Sequence, residues 1–340
     1  MSQKSKYLTD LIYIYIYIWC LSPYTNFKAS IPNRQMMNAA VNVKYAPNEL
    51  VATEVLSTKN ALGESPIWSV RDQALYWISS PEGEVWRWDL INLPHRRLMN
   101  TVIGCIGLLG QSNSIIVAGE SGMLYINMDH PNEPKHIVHR PEFDTTTRPN
   151  DGRVDRAGNL VLGMYNNYHR AGGPTVGRNN AGLFRLLSST LQWEDILCNN
   201  QEYRYRVSNC ICFSPDGSIY FSDTPTRTLY AFDYTPTGPL TNRRHVWTMP
   251  ASMPGALDGA QIDNMGKLWI AVTGGKMVIQ LNPISGEIET IVRINANPTS
   301  VTFGGPELDE LFITTRAPDG GIFRVKVPYG VRGVTEPEFK

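Results

Sequence analysis

From Glu54 onward the chain reads as short apolar runs separated by turns rich in Gly, Pro, Asn and Asp, and almost no segment shows helical periodicity. That alternation predicts an all-β protein. Within it one unit recurs. SPIWSVRDQALYWISS begins at Ser65, CIGLLGQSNSIIVAGESG at Cys105 and NDGRVDRAGNLVLGMYN at Asn150. NCICFSPDGSIYFSDT begins at Asn209, DGAQIDNMGKLWIAVTGG at Asp258 and TSVTFGGPELDELFITTR at Thr299. Each is an apolar strand, a polar turn and a second apolar strand, and most lead to a third such as EVWRWDL, TLYAFDY or GIFRVKV.

Six copies at intervals of about 40 to 60 residues predict a six-bladed β-propeller, in which radial repetition protects the sheet edges. A β-sandwich is the competing all-β arrangement, but it gives no reason for one unit to recur six times. The segment before the repeats has a different character. KSKYLTDLIYIYIYIWCLSPY opens with two lysines and carries an apolar run from Leu11 to Leu21. A transmembrane helix needs about 20 apolar residues, so this run is too short. It has the length of a signal-peptide apolar region, yet its strict Tyr-Ile alternation is that of a strand. Residues 1–45 are therefore read as an N-terminal extension, disordered or cleavable and outside the fold, with Met36 or Met37 as an alternative start. Residues 46–340 are read as one propeller domain.

Composition narrows the partners. Lys and Arg number 31 against 31 Asp and Glu, for a formal net charge of zero. That balance argues against nucleic acid or an anionic membrane as a partner, and a monomer or weak homo-oligomer is expected. The five cysteines, Cys20, Cys105, Cys198, Cys210 and Cys212, form no CxxC pair. An odd, unpatterned set predicts free thiols in a reducing compartment, hence the cytoplasm. Secretion by way of residues 1–30 is the lesser alternative.

Register along the repeats singles out four polar residues. Glu64, Asn150, Asn209 and Asp258 stand 11 or 12 residues ahead of Tyr76, Val161, Tyr220 and Trp269 in the respective second strands. The first strand of each blade lines the central channel, so these side chains are expected at one end of it, aimed at a shared axis. The equivalent places in the other repeats fall near Ile106 and Thr299. Two carboxylates and two carboxamides make an oxygen-rich set, without the His and Cys of a closed structural zinc site. Such donors suit a hard divalent cation held by Glu64, Asn209 and Asp258. A polar, water-filled channel is the alternative that spacing alone leaves open.

The segments LGESPIW, RPNDGRVDRAGN, SNCICFSPDGSIYFSDT, LDGAQIDNMGKLWIA and NPTSVTFGGPELDELFITT resemble, in order, the signature segments of the SMP-30/regucalcin, gluconolactonase and luciferin-regenerating enzyme family. The likeness runs from Glu54 to Val327. It implies a six-bladed propeller with one divalent metal ion, its identity open among Ca²⁺, Zn²⁺, Mn²⁺ and Mg²⁺, and hydrolysis of a sugar lactone. Carried across by motif, the metal ligands fall on Glu64, Asn209 and Asp258. The substrate-contacting Arg and Asn fall on Arg148 and Asn150, while Asp151 and Gly152 are expected to serve a turn. Two departures stand out. The stretch MYNNYHRAGGPTVGRNN lacks the acid of the family's lid, and the PGALDG around Asp258 is longer than the usual P-D-G.

The implied reaction is metal-dependent hydrolysis of an aldonolactone, such as glucono-, xylono- or arabinonolactone, to the open acid, with Asp258 as general base. The alternatives are a non-catalytic calcium-binding propeller, or an aryl ester or phosphotriester hydrolase on the same scaffold. Other machinery is missing. GQSNS at Gly110 lacks the closing Gly of a serine-hydrolase elbow, and no phosphate-cradling GxxxxGK[ST] loop occurs. The histidines form no HExxH pair, and only His169, in the lid stretch, lies near the expected site. Trp68, Trp77, Trp86, Trp88 and Trp269 are expected to pack between blades.

Overall fold

An apolar strand with no polar alternation must be covered on both faces. ALYWIS (Ala74–Ser79) and SIIVAG (Ser114–Gly119) are buried at every position, and LWIAVT (Leu268–Thr273) at all but its last. The computed structural model describes residues 46–120, 122–130, 136–138, 147–166, 181–197 and 205–340. Its compact unit Ala46–Lys340 consists of six small sheets, the blades of a six-bladed β-propeller, as the repeats predict. The innermost strands of blades 1 to 6 are Gly63–Ser69, Ile103–Leu109, Thr147–Val154, Ser208–Phe213, Ala256–Ile262 and Asn297–Gly304.

Among the described residues the buried apolar side chains form six clusters at the six seams between neighbouring blades, and each draws on both. Trp68 stacks on Phe312 at 5.7 Å across the seam of blades 1 and 6, and Trp269 meets Phe303 edge-on at 5.8 Å between blades 5 and 6. Trp86 instead stacks within blade 1, on Trp77 at 5.7 Å, and Trp88 is half-buried and donates to Asn92 O.

The repeats showed three strands, whereas the blades have four. Some of the outer strands, among them HRRL (His95–Leu98) and TNRRHVWT (Thr241–Thr248), are mostly polar and only partly covered. They pack on their blade from the outside, so they carry a weak apolar signature. Blade 6 is completed from the other end of the chain, since Thr53–Ser57 pairs antiparallel with Gly321–Lys326. Asn48–Val51 adds to blade 5 and Glu338–Phe339 to blade 2, both parallel.

Cys105, Cys210 and Cys212 are buried free thiols, as expected. Cys20, Cys198, His169 and the rest of residues 167–180 lie outside the described residues, as does the extension 1–45. Among the described residues no helix is long and apolar enough to cross a membrane.

Candidate active site

Every inner strand breaks register with its neighbour at one level. The breaks lie between Glu64 and Ile67, Ile103 and Cys105, Pro149 and Gly152, Asn209 and Cys212, Leu257 and Ala260, and Pro298 and Ser300. A β-bulge of this kind re-aims side chains and ends regular alternation. Glu64 and Asn209 are the last paired residues before their breaks, and Asn150 and Asp258 are the first inside theirs. After Glu64 and Asn209 the backbone turns left-handed, at Ser65 (φ 47°) and Cys210 (φ 56°). Such values are uncommon for residues other than glycine, and here neighbouring blades hold them. Ile106 N donates to Ser65 Oγ at 3.1 Å, and Cys210 Sγ donates to Asp258 O at 2.9 Å.

The five residues expected at the site lie around one end of this ring. Asn150 Nδ2 donates to Ser208 O at 3.0 Å and to Asn209 Oδ1 at 3.3 Å. Asn209 Nδ2 donates to Thr224 Oγ1 at 2.7 Å, so its amide oxygen is turned toward Asn150. Arg148 lies over the Tyr165 ring with its guanidinium carbon 4.4 Å from the centroid, and its Nη1 donates to Pro149 O at 2.7 Å. The blade 2 equivalent is not Ile106. The break there falls at Ile103–Gly104, and Ile106 pairs with Val117 further along the strand. Thr299 holds its expected place and donates to Gly63 O at 2.5 Å, closing the ring between blades 6 and 1.

The structure corrects one expectation for RPNDGRVD, that Asp151 and Gly152 serve a turn. All eight residues Thr147–Val154 are strand, and Asp151 sits inside the bulge rather than in a turn. Its carboxylate accepts from Gly152 N at 2.8 Å and Ile211 N at 3.2 Å. Alternation along an unbroken strand would send Asn150 and Asp151 to opposite faces, which is why the pattern concealed it. Three more neighbours went unmarked in the sequence. Thr224 orients Asn209, while Arg316 and Thr273 act on Asp258.

Charge is the dominant feature of the site. Burial, then Asp258 and then Asp151, pushes the Glu64 carboxyl well above the usual range. Burial and the Asp151 charge raise Asp258 to about 8, against the opposing pull of Arg316. Burial raises Asp151 to about 6, although Arg153 lowers it. Three acids therefore share a poorly solvated space that protein cations only partly neutralise, which is the environment a divalent cation relieves. The donor chemistry fits such an ion: two carboxylates and an oriented amide oxygen, all hard oxygens. Among the described residues no three His, Cys, Asp or Glu side chains are grouped to hold a metal. A cavity of about 640 Å³ beside Tyr125 and Lys340, outside this ring, contains none of these residues.

Residues 62–317 match the family described as SMP-30/Gluconolactonase/LRE-like region. The chain belongs to this family. One relative, the 6-deoxy-6-sulfogluconolactonase of Pseudomonas putida, is 31% identical over 77% of this chain and 85% of its own length. The L-arabinolactonase of Azospirillum brasilense is 29% identical over 78% and 84%. Among solved structures, a luciferin-regenerating enzyme superposes with a TM-score of 0.74 at 25% identity, covering 85% of this chain and 99% of that one. Within the family, the chain's relatives thus include enzymes named for opening sugar lactones.

Proposed function

We propose that this chain hydrolyses the ring ester of an aldonolactone to the open aldonic acid, using one divalent cation held by Glu64, Asn209 and Asp258. The observation that supports the reading is that Glu64, Asn150, Asn209 and Asp258 all stand at the register breaks of their inner strands, with the Asp258 charge acting on Glu64. The lactonase names of two relatives at about 30% identity support the substrate class. Bound there, a divalent cation supplies Lewis-acid polarisation of the lactone carbonyl and lowers the pKa of a water.

The chain's own groups do the rest. Asp258, in this reading a ligand of the ion beside the attacking water, takes a proton from that water and returns it to the departing ring oxygen. The new carbon–oxygen bond forms at the carbonyl carbon and the ring carbon–oxygen bond then breaks, leaving a hydroxyl and a carboxylic acid that releases its proton to solvent. Arg148, held flat on Tyr165, and Asn150 orient the sugar hydroxyls, so that binding is spent on placement at the carbonyl.

The test is hydrolysis of glucono-, xylono- and arabinonolactone by metal-stripped protein, with Ca²⁺, Mg²⁺, Mn²⁺ or Zn²⁺ restored singly. An aryl ester and an organophosphate run as competing substrates. Turnover of a lactone that needs the ion and is lost in Asp258→Ala and Glu64→Ala supports the proposal. Ion binding without lactone turnover sinks it in favour of another ester or a binding role.

A further inference from the structure

The far end of the ring is crossed by the chain's own C-terminal segment. Gly333 bridges to Asp263 on blade 5, and Phe339 lies in parallel register with Leu109 on blade 2. Between these anchors Glu336 enters beneath the inner strands and forms an ion pair with Arg153, their side chains only 7% and 11% exposed. Arg153 stands two residues beyond Asp151 on the inner strand of blade 3. Its Nε donates to Ile211 O at 3.1 Å on blade 4, and its Nη2 to Ala260 O at 3.0 Å on blade 5. Ile211 and Ala260 lie two residues past Asn209 and Asp258. One guanidinium thus fastens three inner strands at a single level, immediately below the residues that converge on the site.

A charge this deep is tolerated only when it is paired and fully hydrogen-bonded. Glu336 provides that balance, and Gln261 Nε2 donates to the same carboxylate oxygen at 2.5 Å. Without it, Arg153 would keep only Asp151 as a nearby acid and would lose the partner of its Nη1, leaving excess positive charge beneath the ligands of a divalent ion and one hold fewer on the side chain that joins the three strands.

We propose that Glu336 is a positioning residue for the cation site: brought in by the C-terminal strap, it balances Arg153 and lets that side chain lock the strands bearing Asn150, Asn209 and Asp258 in register. The inference rests on the reading of the site given above. Groups that orient metal ligands from behind are typically worth about 10- to 100-fold in metal affinity. The same is expected here, without any contact between Glu336 and the ion.

The experiment is calorimetric titration of metal-stripped full-length protein with Ca²⁺, Mg²⁺, Mn²⁺ and Zn²⁺, with thermal unfolding recorded beside it. Wild type is compared with Glu336→Gln and with Phe339→Ala, which loosens the strap without touching Arg153. Glu336→Gln is expected to raise the metal Kd about tenfold or more, whereas Phe339→Ala, which keeps the carboxylate, lowers Tm and raises Kd by less than that. An unchanged Kd in Glu336→Gln, or a rise in Phe339→Ala larger than that in Glu336→Gln, overturns the inference and reduces the strap to a brace. If Glu336→Gln does not fold, Arg153→Met combined with Glu336→Met, which removes both members of the ion pair, is titrated instead. The same weakening supports the role and an unchanged Kd overturns it. Wild type that binds none of the four ions overturns the reading of the site and this inference together. Binding by wild type and variant alike overturns the inference alone.

Discussion

The Asn209 carboxamide has one orientation that satisfies its surroundings. Thr224 Oγ1 donates its hydrogen to Leu257 O at 2.9 Å, so toward Asn209 it can only accept, and Nδ2 must face it at 2.7 Å. The amide oxygen is thereby committed to the shared site. Thr224→Val keeps the shape and removes that acceptor, and is expected to weaken divalent-ion binding by about 10- to 100-fold with the fold intact. Titration calorimetry with unfolding as control decides it, and an unchanged Kd rejects the orienting role. The acids make a second prediction. In the ion-free protein Asp258 is raised to about 8 and Asp151 to about 6 by burial, so the folded state holds protons that the unfolded chain, with aspartate near 4, has released. Stability from these groups is complete below about pH 4 and lost as pH climbs through about 6 and then 8. Stripped protein should therefore show a falling Tm between pH 5 and about 8.5, and a saturating divalent ion should flatten that slope. A Tm that rises with pH in the stripped protein contradicts the charge distribution described here.

At the scale of the strand, the bulge explains both what the sequence disclosed and what it hid. Continuous apolar second strands and their polar turns made the six blades readable, because burial on both faces leaves no other composition. The places of Glu64, Asn150, Asn209 and Asp258 at the register breaks were readable because each stands 11 or 12 residues ahead of a marked position in its second strand. Asp151 was not, since a two-residue bulge places neighbours on one side where alternation predicts opposite sides. Some of the outer strands were hidden because a partly covered blade edge demands only a weak apolar pattern, and Thr224 because a hydroxyl that orients a ligand has no spacing rule. The long PGALDG around Asp258 is resolved by geometry. The break falls on Asp258 and Gly259, and a Cβ at Gly259 would lie 2.1 Å from Ser300 Oγ and 2.9 Å from its Cα. Glycine is needed there for the approach of blades 5 and 6. Gly259→Ala must therefore push the seam apart, at a cost on the order of 1–3 kcal/mol, and displace Asp258 beside it. A lower denaturant midpoint together with weaker ion binding is expected. A variant as stable as wild type would mean that the seam yields freely.

For the whole molecule, ring closure decides whether the inner strands share an axis at all. Neighbouring blades are joined along the chain except at blades 6 and 1, where the join depends on Thr53–Ser57 completing the sheet of blade 6 before the chain enters blade 1. The seam is reinforced by the stack of Trp68 on Phe312 and by Thr299 Oγ1 on Gly63 O at 2.5 Å, one residue from Glu64. Blade 6 also separates Glu64 on blade 1 from Asp258 on blade 5, so slack in its closure spreads two of the proposed ligands apart. Two truncations separate this closure from the segment ahead of it. A chain of residues 46–340 retains both closing strands and is expected to unfold at the midpoint of the full protein and to bind the same ion. A chain of residues 59–340 loses Asn48–Val51 and Thr53–Ser57, leaving blade 6 with three strands and an exposed edge that invites association. It should unfold at lower temperature and lose ion affinity even where it stays folded. Thermal unfolding and calorimetric titration of the two chains in parallel make the comparison. Equal midpoints for both would show that the ring holds without its closing strand, and a destabilised 46–340 would move the boundary of the folded unit toward the N-terminus.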